Sequence, residues 1–64
     1  MIIGEALKRA RESKGLTQKQ LAEKLYVSES LICKWEKGRR RIPLTLFVNM
    51  LDILEVDLDY FKEM

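Results

Sequence analysis

Between residues 28 and 41 the chain carries Ser28, Glu29, Ser30, Lys34, Lys37, Arg39, Arg40 and Arg41. These are hydroxyls, one carboxylate and cations, with no nucleophile set beside a base. Hydroxyls donate and accept hydrogen bonds, while Lys and Arg only donate. The inventory suits reversible recognition of a polar, anionic surface rather than bond-making. The rest of the chain agrees. There is no histidine and a single cysteine, Cys33, so an internal disulfide is excluded, a zinc site lacks ligands and acid–base catalysis lacks its usual group. No Ser/His/Asp, Cys/His, paired-carboxylate or phosphate-loop arrangement occurs. The expectation is therefore no enzyme, no cofactor, no metal and no evident small-molecule ligand. With no acid–base partner nearby, Cys33 reads as a small packing residue rather than a redox sensor.

Such groups recognise a surface only if rigid elements hold them in register, and the stretch from Thr17 to Glu36 supplies those elements. It reads as two short helices and a tight turn. Thr17 can cap the first, with Gln20 completing a capping box, and Ser28 can cap the second. Leu21, Leu25, Val27, Ile32 and Trp35 make one inward set, with Ala22 where the two helices come close. Trp35 shares a face with Ile32 and is a core anchor rather than a base-stacking ring. This is the spacing of a helix-turn-helix, at about residues 17–37, whose second helix enters the DNA major groove.

The flanking sequence is also helical. Ile3, Leu7 and Ala10 recur at helical spacing, giving a first helix from about Ile3 to Ser13 that Gly15 stops. Leu16 follows and packs inward. The second helix runs from about Gln18 to Lys24, and the third from Ser28 to about Lys37, where Gly38 ends it. Ile42-Pro43 opens a fourth helix with an apolar stripe of Leu44, Phe47, Val48, Leu51 and Leu54. Asp57 caps a last one, from Leu58 to about Lys62. Five helices and no strand place all of residues 1–64 in one all-α domain. At 47% hydrophobic and 34% charged residues, the composition is globular rather than disordered. A 64-residue chain buries only roughly 60% of its unfolded surface, so self-association is a natural supplement.

Charge is divided along the chain. Residues 1–41 hold eleven Lys/Arg against five Glu, whereas residues 42–64 hold one Lys against five Asp/Glu. A basic portion and an acidic end imply an oriented molecule that turns one face toward an anionic partner. No apolar run approaches the ~18 residues of a membrane span, and the N-terminus lacks a signal-peptide pattern. The lone cysteine suits a reducing cytoplasm.

Across about residues 2–62 the chain resembles the lambda-repressor/Cro-type helix-turn-helix proteins, the XRE family. The resemblance rests on Ile3-Gly4, Leu7, Lys14-Gly15-Leu16-Thr17-Gln18, Leu21-Ala22, Val27-Ser28, Ile32, Trp35-Glu36, Gly38, Leu54, Val56 and Leu58-Asp59. It implies a compact five-helix lambda-repressor-like DNA-binding domain whose third helix is the recognition helix. It also implies a homodimer on a pseudo-palindromic site of double-stranded DNA, in a bacterial, archaeal or phage-encoded cytoplasmic regulator. Base-reading then falls to Ser28, Glu29, Ser30, Leu31 and Lys34. Ser30 can bond several base edges, Lys34 can reach guanine or a phosphate, and Leu31 can pack on a thymine methyl. Glu29 can accept from cytosine N4 or serve only the helix dipole. Gln18, Lys37, Arg39, Arg40 and Arg41 are the phosphate contacts, with Gln18 also a candidate to buttress the recognition helix. Arg11 and Glu36 match positions that form an ion pair in similar proteins.

Two positions depart from the family pattern. Tyr26, in the turn, and Glu55, after the fourth helix, stand where glycine is usual and where a positive φ is expected.

The acidic end should face away from DNA. In similar proteins the last two helices build the dimer contact, which points to Ile42, Tyr60 and Phe61, with Met64 beside them and Leu58 in the core. The dimer is expected to be weak without DNA. The leading expectation is a sequence-specific regulator, most simply a Cro-like repressor. The alternative is a protein-interaction module, such as an antitoxin or anti-repressor component, built on the same fold. A third reading makes it the DNA-binding module of a larger regulator, although Met1 and the capped last helix suit a complete chain.

Overall fold

The computed structural model describes residues 3–62, and within them lie five helices. They are α1 (Ile3–Ser13), α2 (Gln18–Leu25), α3 (Glu29–Glu36), α4 (Leu44–Leu54) and α5 (Leu58–Lys62). Met64, expected beside the dimer contact, lies outside the described residues.

Local chemistry sets the helix starts. Thr17 Oγ1 accepts from the Gln20 amide at 3.0 Å, and Gln20 Oε1 accepts from the Thr17 amide at 2.9 Å, a complete capping box for α2. Ser28 Oγ accepts from the Leu31 amide at 3.1 Å, and Asp57 Oδ1 from that of Tyr60 at 3.3 Å. Pro43 stands just ahead of α4 with φ −59° and ψ 143°, not in its first turn. Its extended backbone serves as the cap position.

The ends of α1 to α4 share one design. Each closes with a bond from the second or third residue past the helix back to a carbonyl five positions earlier: Leu16 to Arg11 (3.1 Å), Val27 to Ala22 (3.0 Å), Arg39 to Lys34 (2.9 Å) and Val56 to Leu51 (3.1 Å). The residue between must be left-handed. Gly15 and Gly38 meet that demand freely (φ 71° and 74°), while Tyr26 and Glu55 adopt φ 59° and 57°. The family turn is therefore kept at both departures, with the strain falling on the backbone. In three of the four closures the donating residue (Leu16, Val27, Val56) packs on the core. In the fourth it is Arg39, which is exposed. That end is released outward.

The core comprises Ala6, Leu7 and Ala10 of α1, Leu21, Ala22 and Leu25 of α2, Ile32 and Trp35 of α3, Met50 and Leu54 of α4, and Phe61 of α5. Val27 is half-buried against it. Gly4 lets α1 lie directly on the end of α3. A Cβ there would stand 2.5 Å from the Glu36 carbonyl oxygen and 2.6 Å from that of Trp35, well inside contact distance.

Helices α4 and α5 correct the reading of the sequence. Leu44 and Val48 of the expected inward stripe are 75% and 55% exposed, while Met50 is fully buried. α4 has a narrow polar stripe of Thr45, Asn49 and Asp52, all exposed, opposite the buried Met50 and Leu54. Leu44 and Val48 flank the apolar side, and there the expected stripe extends too far round the helix. The last helix reverses two expectations: Leu58 is 52% exposed and Phe61 only 1%. Packed against α1, α5 sends Phe61 inward, where its ring meets Phe47 edge-on with centroids 5.1 Å apart. Burying a phenylalanine contributes about 1.5–3 kcal/mol, and the larger ring takes the interior site. Phe61 therefore has no surface to offer a dimer partner.

Candidate nucleic-acid interface

The candidate recognition surface lies on the outer side of α3. Its inner side is held by Ile32 and Trp35, both buried, so Ser28, Glu29, Ser30 and Lys34 are exposed together. Leu31 is half-buried against the core, leaving part of its side chain at the edge of this surface, and Cys33 is half-buried beside it. Ser28 uses an oxygen lone pair as the cap of α3, which leaves its O–H free to donate outward. Glu29 lies in the first turn, where a carboxylate complements the helix dipole.

Just beyond α3 come Lys37, Arg39, Arg40 and Arg41, all exposed. This loop follows directly from the end of α3 at Gly38. A helix with its polar side bare, followed by a cationic loop, suits a groove lined by phosphates: charges fix position and the helix reads edges.

A buried polar network fixes the angle of α3. Arg11 Nε donates to Glu36 Oε2 at 2.7 Å and its Nη2 to Glu36 Oε1 at 3.2 Å. Arg11 Nη1 donates to the Leu16 carbonyl at 2.7 Å. Gln18 Nε2 donates to Glu36 Oε1 at 2.9 Å. One carboxylate at the end of α3 is thereby tied to α1 and α2, and one guanidinium also clamps the loop between them. The hydrogen bond to Glu36 raises the Arg11 pKa above its ordinary value, against the opposing effect of burial. Gln18 is half-buried and retains a second amide hydrogen for an outside acceptor.

The residues expected at a dimer contact are dispersed by burial. Ile42 and Tyr60 are half-buried against the core, and Phe61 is inside it. Among the described residues the large apolar groups left on the surface are Ile3, Tyr26, Leu44, Val48 and Leu58. The sequence reading missed the seating of Gly4 on α3 and the Arg11–Leu16 clamp. A glycine within the apolar pattern of a first helix was a signal for the former, whereas a side chain bonding to a loop carbonyl leaves none.

Fold and surface together define a helix-turn-helix domain. The family model HTH_3, helix-turn-helix, matches residues 7–61, and the chain belongs to that family of XRE-type transcriptional regulators, DNA-binding proteins rather than enzymes. Over 39 residues it is 54% identical to the HTH-type transcriptional activator BcrR of Enterococcus faecalis, covering 61% of this chain and 19% of that protein. It is 36% identical over 59 residues to the uncharacterized HTH-type transcriptional regulator YqaE of Bacillus subtilis, covering 92% of this chain and 51% of that one. The chain thus spans about half or less of the length of these curated relatives. Among solved structures, the clp gene regulator ClgR of C. glutamicum superposes with a TM-score of 0.88 at 30% identity, over 97% of this chain and 81% of that one. The restriction-modification controller protein C.AhdI of Aeromonas hydrophila gives 0.84 at 25% identity, over 92% and 89%. Among the described residues no helix is long and apolar enough to cross a membrane.

Proposed function

We propose that the chain binds double-stranded DNA sequence-specifically as a homodimer on a pseudo-palindromic operator, and represses in the Cro manner by occupying a promoter and blocking polymerase. The observation that carries this reading is the joint exposure of Ser28, Glu29, Ser30 and Lys34 on one side of α3, with Lys37 and Arg39 to Arg41 bare at its end. In this assignment Ser28, Ser30, Lys34 and the edge of Leu31 meet bases in the major groove, with Glu29 either accepting from cytosine or only steadying the helix. Gln18, Lys37, Arg39, Arg40 and Arg41 hold phosphates.

Val48, Leu58 and Tyr60 provide the self-association surface in place of Phe61. The Cα extents of 27 × 23 × 20 Å let two copies side by side set their recognition helices one DNA turn, ~34 Å, apart. The patch is small, so the dimer is completed on DNA. The working location is the cell interior, on the chromosome or a phage genome.

Selection of bound sequences from random duplex DNA tests the reading. Wild type should enrich a two-fold symmetric motif, and Lys34→Ala should relax one position of each half-site. Replacing Arg39, Arg40 and Arg41 by Gln should weaken all sequences alike and flatten the salt dependence by about 0.9 in slope for each phosphate no longer neutralised. Failure to enrich a symmetric motif, together with a salt-resistant complex with an acidic protein, would favour the protein-interaction alternative.

A further inference from the structure

Beside the cationic loop lies a cleft of about 650 Å³. It opens where the first turn of α1, the end of α3 and the entry to α4 meet. Its apolar walls are Ile3, Trp35, Ile42, Leu44 and Phe47, and its charged ones Arg40 and Arg41. Among the described residues no acidic side chain lines it. The volume falls in the range of about 300–1,000 Å³ typical of small-molecule sites, which combine apolar walls with a few polar groups. Trp35 is 2% exposed, and its indole N–H is buried with no hydrogen-bond partner among the described residues. Such a donor asks for an acceptor.

We propose that this cleft binds an amphiphilic anion, an apolar body carrying one carboxylate, and that the bound anion competes with DNA for Arg40 and Arg41. The competition rests on the DNA reading above, whereas the binding itself does not. Guanidinium groups hold a carboxylate through paired, charge-assisted bonds, and Ile3, Leu44 and Phe47 offer an apolar body nothing polar to lose. Leu44, a wall residue that is 75% exposed, gains most from being covered. A second copy is a poorer occupant. A two-fold contact through this patch sets it against itself and would bring four arginines together with no acid among the described lining residues to offset them. The same arginines couple the two ligands: one occupant of the cleft takes two cations from the phosphate-holding loop.

The test uses the whole chain without DNA and decanoate as the probe, followed by the fluorescence of Trp35, the one tryptophan, and by calorimetry for stoichiometry. Decanoate should give a saturable change at one per chain. The Arg40→Gln/Arg41→Gln variant should bind about tenfold more weakly, as should decyltrimethylammonium, which keeps the tail and reverses the charge. Both arginines are exposed, so the variant keeps the fold. Equal binding of the two amphiphiles, an unaffected double variant, or no saturable change overturns the site. So does sedimentation showing a dimer closed to decanoate, since the occupant is then a second copy. In a second arm, decanoate should weaken wild-type binding to a selected DNA in step with occupancy of the cleft. If decanoate binds but DNA affinity is unmoved, the competition is refuted. A chain that binds no DNA at all refutes the DNA reading and leaves the DNA-free titration to judge the site.

Discussion

Replacing Arg11 by Met should be among the most damaging single changes outside the hydrophobic core, and replacing Glu36 as well should undo most of the damage. The two side chains are 9% and 4% exposed. Arg11→Met strips two hydrogen bonds from the buried Glu36 carboxylate and one from the Leu16 carbonyl. Breaking a buried ion pair from one side costs about 3–5 kcal/mol. The low end applies here, about 3 kcal/mol, because Gln18 still donates to Glu36. Glu36→Met is milder, about 2 kcal/mol. Arg11 then keeps the Leu16 carbonyl and lies 4.0 Å from Glu12, whose side chain is half in solvent. With both charges gone neither is stranded, and two methionines of similar length fill the site for about 1 kcal/mol. The cycle therefore predicts a coupling of about 4 kcal/mol, far outside the ~0.5 kcal/mol scatter of independent sites.

Urea unfolding followed by Trp35 fluorescence and helical circular dichroism measures all four proteins. A 64-residue domain has about 3–10 kcal/mol of stability in total, so Arg11→Met is best titrated against a stabilising osmolyte. A cost below about 1 kcal/mol for Arg11→Met, or additive single effects, would refute the argument that the network sets the position of α3.

Gly4→Ala should lower stability by about 1–3 kcal/mol, since the new methyl group meets main-chain oxygens that belong to α3. Thermal unfolding reads the loss, and a stabilised variant would mean that α1 does not sit on α3 so closely. Tyr26→Gly should raise stability by about 0.5–1 kcal/mol: relief of a left-handed non-glycine backbone outweighs the added freedom of the unfolded chain. The ring is 94% exposed and its removal sacrifices little packing, so a lower midpoint in urea would overturn the strain argument. Glu55 should titrate below the ordinary glutamate range, because Lys14 bonds to its carboxylate and adds an attractive charge. Its contribution to stability is then full above the ordinary value and disappears as pH falls through the lowered native one. Carboxyl NMR should show the midpoint rising toward the ordinary value in Lys14→Met.

Much of this was legible because the relevant interactions are local. Capping residues act over three positions, so Thr17, Gln20, Ser28 and Asp57 marked helix starts without any knowledge of the tertiary fold. The inward residues of α1 to α3 were legible because each of those helices has a polar side to contrast with, as Lys8 and Arg9 contrast with Leu7. Tyr26 and Glu55 could be singled out as strained because a helix end of this type demands a left-handed residue whatever stands there. The candidate recognition surface followed from the same periodicity: once Ile32 and Trp35 are inside, Ser30 and Lys34 have to be out.

What was not legible depends on three-dimensional choices that neighbouring residues do not encode. In α4, LTLFVNMLDIL, the polar residues Thr45, Asn49 and Asp52 line one exposed side and set Met50 and Leu54 opposite, but the fate of the apolar flanks Leu44 and Val48 is decided by α2 and by Phe61 of α5. The competition between Leu58 and Phe61 for one interior site depends on where the short α5 crosses α1, which no local period reports. These ambiguities have a common physical origin: α4 and α5 carry more apolar surface than one small core can absorb. The excess cannot be assigned inward or outward from sequence, and the folded chain leaves Leu44, Val48 and Leu58 in water. Large apolar groups held outside by a rigid frame gain most from a partner, whether a second copy on α4 and α5 or a ligand at the Leu44 end. The positions that the sequence reading misplaced are therefore largely the positions where this domain still has contacts to make.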